Sequence, residues 1–211
     1  GKFEFDFGNF SGQLSSARIY GCDGVNRGFE FDGTTLVPIT TNTTPDQPKH
    51  LKIHANHLIW AIQSSAIHSG PGKPYMYGAI DGGGELAAGD TVTGFVLQPG
   101  EQTTATLLIS TLANTFMLYG LALATWNLVP FNRGVGALDY THQTLYDSYA
   151  MDDPGVFGLK TSLNFGNFQQ ATLTSMIQTF INDKRSKVAY SSVWRGKSQY
   201  RIFFNDGYAL Y

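Results

Sequence analysis

The sequence is poor in cysteine and in charged residues. Its 211 residues include one cysteine, Cys22, so no disulfide can form within the chain. This cysteine usage is typical of proteins that mature in a reducing compartment. Charged residues make up 14% of the chain, against about 25% in an average soluble domain. The formal net charge is −2, which argues against a protein that wraps nucleic acid by neutralising its phosphates.

Long apolar runs are also missing. The most apolar segment, residues 111–130, is interrupted by Asn114, Gly120 and Asn127, whereas a membrane helix needs about 20 mainly apolar residues. We predict two buried strands there and no membrane span. Residues 1–7 alternate apolar and polar side chains, which indicates a strand and not a signal peptide. The sequence starts without methionine and stops within an apolar strand pattern at residues 208–211, so we expect a fragment of a longer chain.

Glycines and aromatic residues are plentiful, with 24 glycines and 15 phenylalanines. Short apolar segments alternate with glycine-containing turns, a pattern that predicts an all-β protein. About five units share the order strand, tight turn, strand, longer loop. Their clearest strand segments are residues 16–20, 28–31 and 35–39; 50–54 and 58–62; 104–109, 115–119 and 122–129; 142–150 and 156–161; and 188–194, 199–204 and 208–211.

Irregular repeats of about 40–50 residues are typical of a β-propeller. We therefore predict a single propeller-type region over residues 1–211, made of blades of antiparallel strands, with a β-sandwich as the alternative. Each blade exposes its sheet edges and faces until its neighbours cover them. A partial ring would therefore be only marginally stable by itself.

One segment has helical spacing instead. Apolar residues at positions 173, 176, 177, 180 and 181 form the stripe of an amphipathic helix. We predict a helix over residues 172–185, with Thr172 as its N-cap and with Lys184 and Arg185 at the negative end of its dipole. Its apolar stripe is expected to pack on a sheet edge.

No group of residues predicts catalysis, a cofactor or a metal. Asp152 and Asp153 are adjacent and lie at a turn, whereas acid–base catalysis needs carboxylates that converge from different elements. His54 and His57 are three residues apart but lie at a strand end and a turn, and no Cys/His cluster completes a zinc site. The other histidines, His50, His68 and His142, are isolated in sequence. We expect no enzyme activity.

Two further features allow a binding role. Trp60, Trp126 and Trp194 could form a platform for sugars, although aromatic residues in blades more often fill the space between sheets. A concentration of positive charge near the C-terminus could meet nucleic acid or an acidic partner, although a solvated turn and helix end is the simpler interpretation. It consists of Lys184, Arg185, Lys187, Arg195, Lys197 and Arg201.

Four segments together resemble a known family. They are CDGVNRGFEFDGTT at 22–35, KHLKIHANHLIW at 49–60, GDTVTG at 89–94 and KSQYRIFFNDG at 197–207. In order and rough spacing they are similar to segments of the tail nozzle, or tail tubular protein B, and related virion propeller proteins of short-tailed phages. Each segment by itself contains only turn-forming residues next to a hydrophobic strand, so the resemblance depends on the four segments together.

The resemblance implies a structural role in the virion tail, in a protein that assembles in the host cytoplasm. Family members form a six-fold ring below the portal and adaptor, and double-stranded DNA leaves through its lumen without specific binding. They have no catalytic residues or cofactors to transfer to this sequence. Because each neutralised phosphate adds affinity, we expect the lumen face to be neutral or acidic. The alternative function is a carbohydrate-binding propeller that recognises a glycan on the host surface.

Overall fold

Five small antiparallel sheets form a ring like a five-bladed β-propeller in the computed structural model, which describes residues 2–98, 106–161 and 168–211. Consecutive strands pair within each sheet. Blade 1 contains β1 (Glu4–Gly8), β2 (Arg18–Cys22), β3 (Phe29–Phe31) and β4 (Leu36–Pro38). Blade 2 contains β5 (His50–His54), β6 (His57–Ile62), β7 (Ser65–His68) and β8 (Gly84–Ala87). The all-β, propeller-like prediction is confirmed, and the five sheets are not stacked as two layers of a sandwich.

The remaining blades follow the same order along the chain. Blade 3 contains β9 (Val92–Leu97), β10 (Leu107–Thr111), β11 (Asn114–Tyr119) and β12 (Asn127–Arg133). Blade 4 contains β13 (Gln143–Thr144), β14 (Ser148–Asp152), β15 (Gly155–Thr161) and β16 (Phe168–Thr172). Blade 5 contains β17 (Val188–Trp194), β18 (Gln199–Phe204) and β19 (Ala209–Leu210). Short 3-10 turns lie at Leu14–Ser16, Ala79–Asp81, Leu123–Thr125, Ser175–Ile177, Arg185–Lys187 and Arg195–Lys197.

The first strand of each blade lies next to the first strand of the following blade. The contacts run from β1 to β5, β9, β13 and β17 in turn. At the junction of blades 5 and 1, the Lys2 ammonium donates to the carbonyl of Ala189 at 2.5 Å. The five first strands therefore surround the axis of the ring.

The core is divided into four apolar clusters, one at each junction between consecutive blades. Alternate residues of one strand enter different clusters: Leu58 and Trp60 pack towards blade 1, whereas Ile59 and Ala61 pack towards blade 3. In β10, likewise, Leu107 faces blade 2 and Leu108 faces blade 4. Successive side chains of a strand point to opposite faces, so a sheet buried on both faces must be apolar at every position. This explains the continuous apolar runs in the sequence.

The predicted pair of buried strands in residues 111–130 is half right. β11 lies inside blade 3, with Met117 and Leu118 fully buried. β12 is the outer strand of that sheet, and it begins at Asn127 because Gly120 and a 3-10 turn at Leu123–Thr125 interrupt the chain. Most of residues 121–130 are exposed. Separately, the described residues contain no helix with the length and apolar character needed to cross a bilayer.

The predicted helix is shorter than expected. The α-helix, α1, covers Gln178–Lys184 and follows the 3-10 turn Ser175–Ile177. Thr172 is not an N-cap, because it pairs with Phe157 as the last residue of β16. Ile181 is buried against blade 5 and Phe180 packs beside it, while Met176 is 97% exposed. The start of the predicted helix is therefore the end of strand β16. Only the second half of the amphipathic pattern forms an α-helix that packs on the edge of the blade.

Close packing between blades 1 and 2 requires a glycine at position 28. The indole of Trp60 is fully buried, and its Nε1–H donates to the hydroxyl of Tyr77 at 2.5 Å. A Cβ atom at Gly28 would lie 2.6 Å from Cη2 of that ring. These two residues come from two of the four family-like segments, so part of their shared pattern is explained by one interblade contact.

We expect Gly28→Ala to destabilise the protein. The added methyl group overlaps a buried ring that is held by its own hydrogen bond, and overpacking of this kind costs about 1–3 kcal/mol. Chemical denaturation monitored by tryptophan fluorescence would measure the loss. The matched control is Gly78→Ala, where the nearest atom to a new Cβ is Asp81 Oδ2 at 3.8 Å. Equal stability of the two variants would contradict this account of Gly28.

Candidate functional site

A cavity of about 560 Å³ lies at the axis of the ring. Side chains from all five blades or their connections line it, among them Lys2, Glu4, Lys52, Phe95, Tyr140 and Tyr190. The lining combines cations, a carboxylate and aromatic rings. It is the place where the blades present polar groups to one another, and it is therefore our candidate site.

The connection between β12 and β13 runs beside the axial cavity, which Tyr140 lines. The backbone N–H of Ser191 in blade 5 donates to the carbonyl of Tyr140 at 2.9 Å. Tyr140 has a left-handed backbone, with φ of 61°, and its ring packs 4.9 Å from that of His50. This segment therefore contacts both blade 5 and blade 2.

The buried ring of His50 is the centre of an ionic cluster beside this segment, and its acidic partners are partly exposed. Its Nδ1 lies 2.6 Å from Glu4 Oε2 in blade 1, and its Nε2 lies 2.9 Å from Asp139 Oδ1. The Lys49 ammonium holds the second oxygen of Asp139 at 2.7 Å. An imidazolium donates from both ring nitrogens, so the charged form of His50 satisfies both carboxylates at once.

The pKa values of this cluster favour the charged pair. Burial by itself would lower the pKa of His50, but hydrogen bonds to Asp139 and Glu4 and their negative charges raise it above the ordinary value. Burial would raise the pKa of Asp139, yet hydrogen bonds from His50 and Lys49 lower it. His50 and its partners therefore form an interblade clamp.

Three more histidines surround Trp126 between blades 2 and 3. The indole ring lies 4.6 Å from the ring of His57, 5.0 Å from that of His68 and 6.3 Å from that of His54. Nδ1 of His57 donates to the carbonyl of Ser69 at 2.6 Å. Burial lowers the pKa of His68, and it lowers the pKa of His54 to about 4. At neutral pH these two rings are uncharged packing groups.

His142 lines the axial cavity, and both of its ring nitrogens are buried. Burial lowers its pKa to about 3, and neither ring nitrogen has a hydrogen-bond partner among the described residues. A Cβ at Gly94 would lie 2.2 Å from Nδ1 of this ring. Gly94 ends the family-like segment 89–94, so the glycine there makes room for a neutral histidine.

The structure corrects the interpretation of the histidines as isolated residues. His54, His57 and His68 share one tryptophan, and His50 joins Glu4 to Asp139. Sequence reasoning missed these groups because the partners come from other blades, up to 89 residues away for His50 and Asp139. Among the described residues, no three histidine, cysteine or acidic side chains are placed to hold a metal ion.

The paired acids and the tryptophans occupy separate places. The carboxylate of Asp152 accepts from the N–H of Gly136, whereas Asp153 pairs with Arg185. Trp60 is core, Trp126 packs on the histidines, and Trp194 is 45% exposed on blade 5. The three indoles therefore do not make a shared platform.

Three of the six cations near the C-terminus, Lys184, Arg185 and Lys187, pair with nearby acids. Lys184 and Lys187 both pair with Asp206, at 2.7 and 3.2 Å. Two others cover Trp194: the guanidinium of Arg201 lies 4.1 Å and the ammonium of Lys197 4.5 Å from the centre of a Trp194 ring.

Comparisons with known proteins add no family. No protein-family model matches this sequence, and a search of curated proteins finds no significant match.

The neutral histidines give a testable dependence on pH. The unfolded chain binds a proton on His54 near pH 6.5, but the folded protein binds it only near pH 4. The free energy of unfolding therefore falls as pH drops through this window. At 1.36 kcal/mol per pKa unit, we expect this one group to remove about 2 kcal/mol between pH 6.5 and 5.

The variant His54→Phe keeps a ring against Trp126 and removes the titration. Urea unfolding at pH 5, 6.5 and 7.5 should show a shallower loss on acidification than in the wild type. His50→Gln is the contrasting control, because the raised pKa of His50 contributes stability below pH 6.5 that is lost as pH rises through the folded pKa. An unchanged acid slope in His54→Phe would contradict the neutral assignment.

Proposed function

We propose that this chain is a non-enzymatic structural protein of the virion, part of a phage tail nozzle ring that conducts DNA out of the capsid. It would assemble in the host cytoplasm and reside in the tail, next to adaptor proteins. The observation that carries the proposal is that polar groups near the axis pair with one another. Glu4, His50 and Asp139 satisfy one another in an ionic clamp between blades, an arrangement suited to bearing load.

Two of the family-like segments support this proposal because they form turns and interblade contacts of the fold. In segment 22–35, the carboxylates of Asp23 and Asp32 each accept two backbone N–H groups and close a turn. Segment 49–60 contains the β5–β6 hairpin and the clamp histidine. The resemblance to nozzle proteins therefore lies in residues that form turns, hairpins and contacts between blades.

DNA would not pass through the axis of a single propeller. A cavity of about 560 Å³ lined by residues such as Tyr140 is far too small to hold a duplex. The conduit would instead lie between copies of the chain in an oligomeric ring. Weak attachment of DNA is favoured because many cations are already paired with acids, including Arg18, Arg27, Lys49, Lys52, Lys73 and Lys184.

We expect no measurable affinity for double-stranded DNA at about 150 mM salt. A conduit must release its cargo, and each phosphate contact adds affinity that depends on salt. Fluorescence anisotropy with a labelled duplex at several salt concentrations measures this directly. Tight binding with a steep salt slope would contradict a passive conduit. Six-fold ring particles in electron micrographs of the purified protein would support the proposal independently.

The alternative function, binding of a host glycan, is favoured by one observation. Trp194 exposes 45% of its surface on blade 5, and the guanidinium of Arg201 lies over both its ring and the exposed ring of Tyr211. Exposed aromatic rings of this kind stack on sugars. Under this alternative, a glycan array would detect binding that Trp194→Ala abolishes, while Tyr146→Ala on the blade 4 loop leaves it unchanged. An array without binding would leave the structural role as the better explanation.

A further inference from the structure

Blade 1 has an apolar face that the described blades leave largely uncovered. Two cross-strand rows form it, and neither row contains an ionisable side chain: Phe5–Gly21–Phe29–Pro38 and Phe7–Ile19–Phe31–Leu36. Phe3 adjoins the first row and stacks on Phe5, with ring centres 5.8 Å apart. Phe5 is 57% and Phe7 66% exposed. We call this surface the blade 1 open face.

The other face of blade 1 is an ordinary interblade surface. Tyr20 and Cys22 are buried there in the cluster shared with blade 2. Asp6 accepts from the N–H of Ile53 and pairs with Lys52. A blade face of this chain is therefore covered by another antiparallel sheet that brings apolar side chains. The open face has the apolar composition of such a surface without that cover, and contiguous apolar patches on soluble proteins mark sites of interaction.

The open face has an exposed ring at one edge of the sheet and a hollow towards the other edge. Phe7, on β1, is the most exposed phenylalanine among the described residues. The hollow has a volume of about 290 Å³, and Phe29 of β3 lines it together with Leu36 and Pro38 of β4. A face with these two features can fit a second copy of itself.

The two charged residues beside this hollow already have partners. Arg27 pairs with Asp46 at 3.5 Å. The carboxylate of Asp23 accepts from the backbone N–H groups of Val25 and Asn26, at 2.9 and 2.7 Å. The hollow therefore offers apolar contacts and no unpaired charge.

We propose that the blade 1 open face binds the same face of a second copy of this chain about a two-fold axis. A two-fold contact uses one patch on both copies, so a residue i that touches j is matched by j touching i. Phe7 of each copy then enters the hollow of the other. The two sheets pack face to face, as the blades of one chain do at their junctions.

The distribution of charge favours this partner over the free surface of blade 5. Arg201 and Phe203 lie on the side of β18 away from the buried Ile202, and the Arg201 guanidinium donates to Gln199 Oε1. Packing that surface on the blade 1 open face would bury the Arg201 charge against rows that contain no carboxylate, which is costly. Two blade 1 open faces meet without burying any charge of their rows.

The area of the open face is sufficient for a weak dimer. At about 200 Å² for a fully exposed aromatic side chain, Phe3, Phe5 and Phe7 leave about 350 Å² in solvent. The exposed parts of Ile19 and Leu36 raise the apolar area to about 500 Å² per copy, so a dimer would remove about 1,000 Å² from water, the lower end of specific interfaces. We therefore expect a reversible dimer.

This inference rests on the fold and not on the proposed function. A two-fold contact closes on itself, whereas a six-fold ring needs a head-to-tail contact between two different patches. Loss of the dimer would therefore leave the nozzle proposal standing, and the absence of six-fold particles would leave the dimer standing.

Sedimentation velocity of the purified chain at concentrations from about 1 to 100 µM measures the dimer. Phe7→Glu places a charge in the contact, and Leu36→Glu places one in the hollow. We expect each to weaken dimerisation at least about 10-fold, because the charge would be buried without a partner. Both side chains are exposed in one copy, so the melting temperature at about 1 µM should change by less than about 2 °C.

Ile80→Glu is the matched control, because Ile80 is fully exposed in a 3-10 turn of blade 2, and it should dimerise like the wild type. Tyr190→Glu, on blade 5, should also leave the dimer intact. A chain that stays monomeric up to about 100 µM would overturn the proposal, as would a dimer that both Phe7→Glu and Leu36→Glu leave unchanged. Assemblies that Tyr190→Glu dissociates would assign the open face to a head-to-tail contact with blade 5, which also overturns it.

Discussion

The packing of thin sheets against one another on both faces is the constraint on which this structure depends. A strand such as β6 sends Trp60 to one junction and Ile59 to the other, so no blade has a core of its own. Removing water from each junction supplies the main stabilising free energy. The stability of any one blade is therefore tied to that of its neighbours, and the ring behaves as one unit around its axis.

The polar groups at the axis solve a problem that this architecture creates. The first strands converge there, and the available space is too small for a large apolar core. A charged cluster lies there instead, in which each ionised group has a partner; its members are Glu4, His50 and Asp139. Because the His50 ring is buried, loss of either carboxylate would leave its charge poorly compensated, so the cluster favours one relative placement of blades 1, 2 and the Tyr140 segment. In this arrangement His50 holds blades together, which is a structural role for a histidine.

Neutral histidines complete the account. Burial lowers the pKa values of His54, His68 and His142. His50 differs because two carboxylates face it. The pKa of His50 is thus shifted in the opposite direction from those of the other three histidines. The difference arises from the carboxylates that lie next to His50.

The sequence alone determined the all-β class, the five units and the turns at Asp23 and Asp32, since these depend on local alternation and on side chains that bind their own backbone. The glycines at 28 and 94 also belonged to the family-like segments, but the sequence did not show why a glycine is needed at either position. The tertiary structure decided the rest. Thr172 became a strand residue because Phe157 was available to pair with it, and the histidines acquired partners from distant blades. Such contacts depend on the order in which sheets meet around the axis, which no local window of sequence contains.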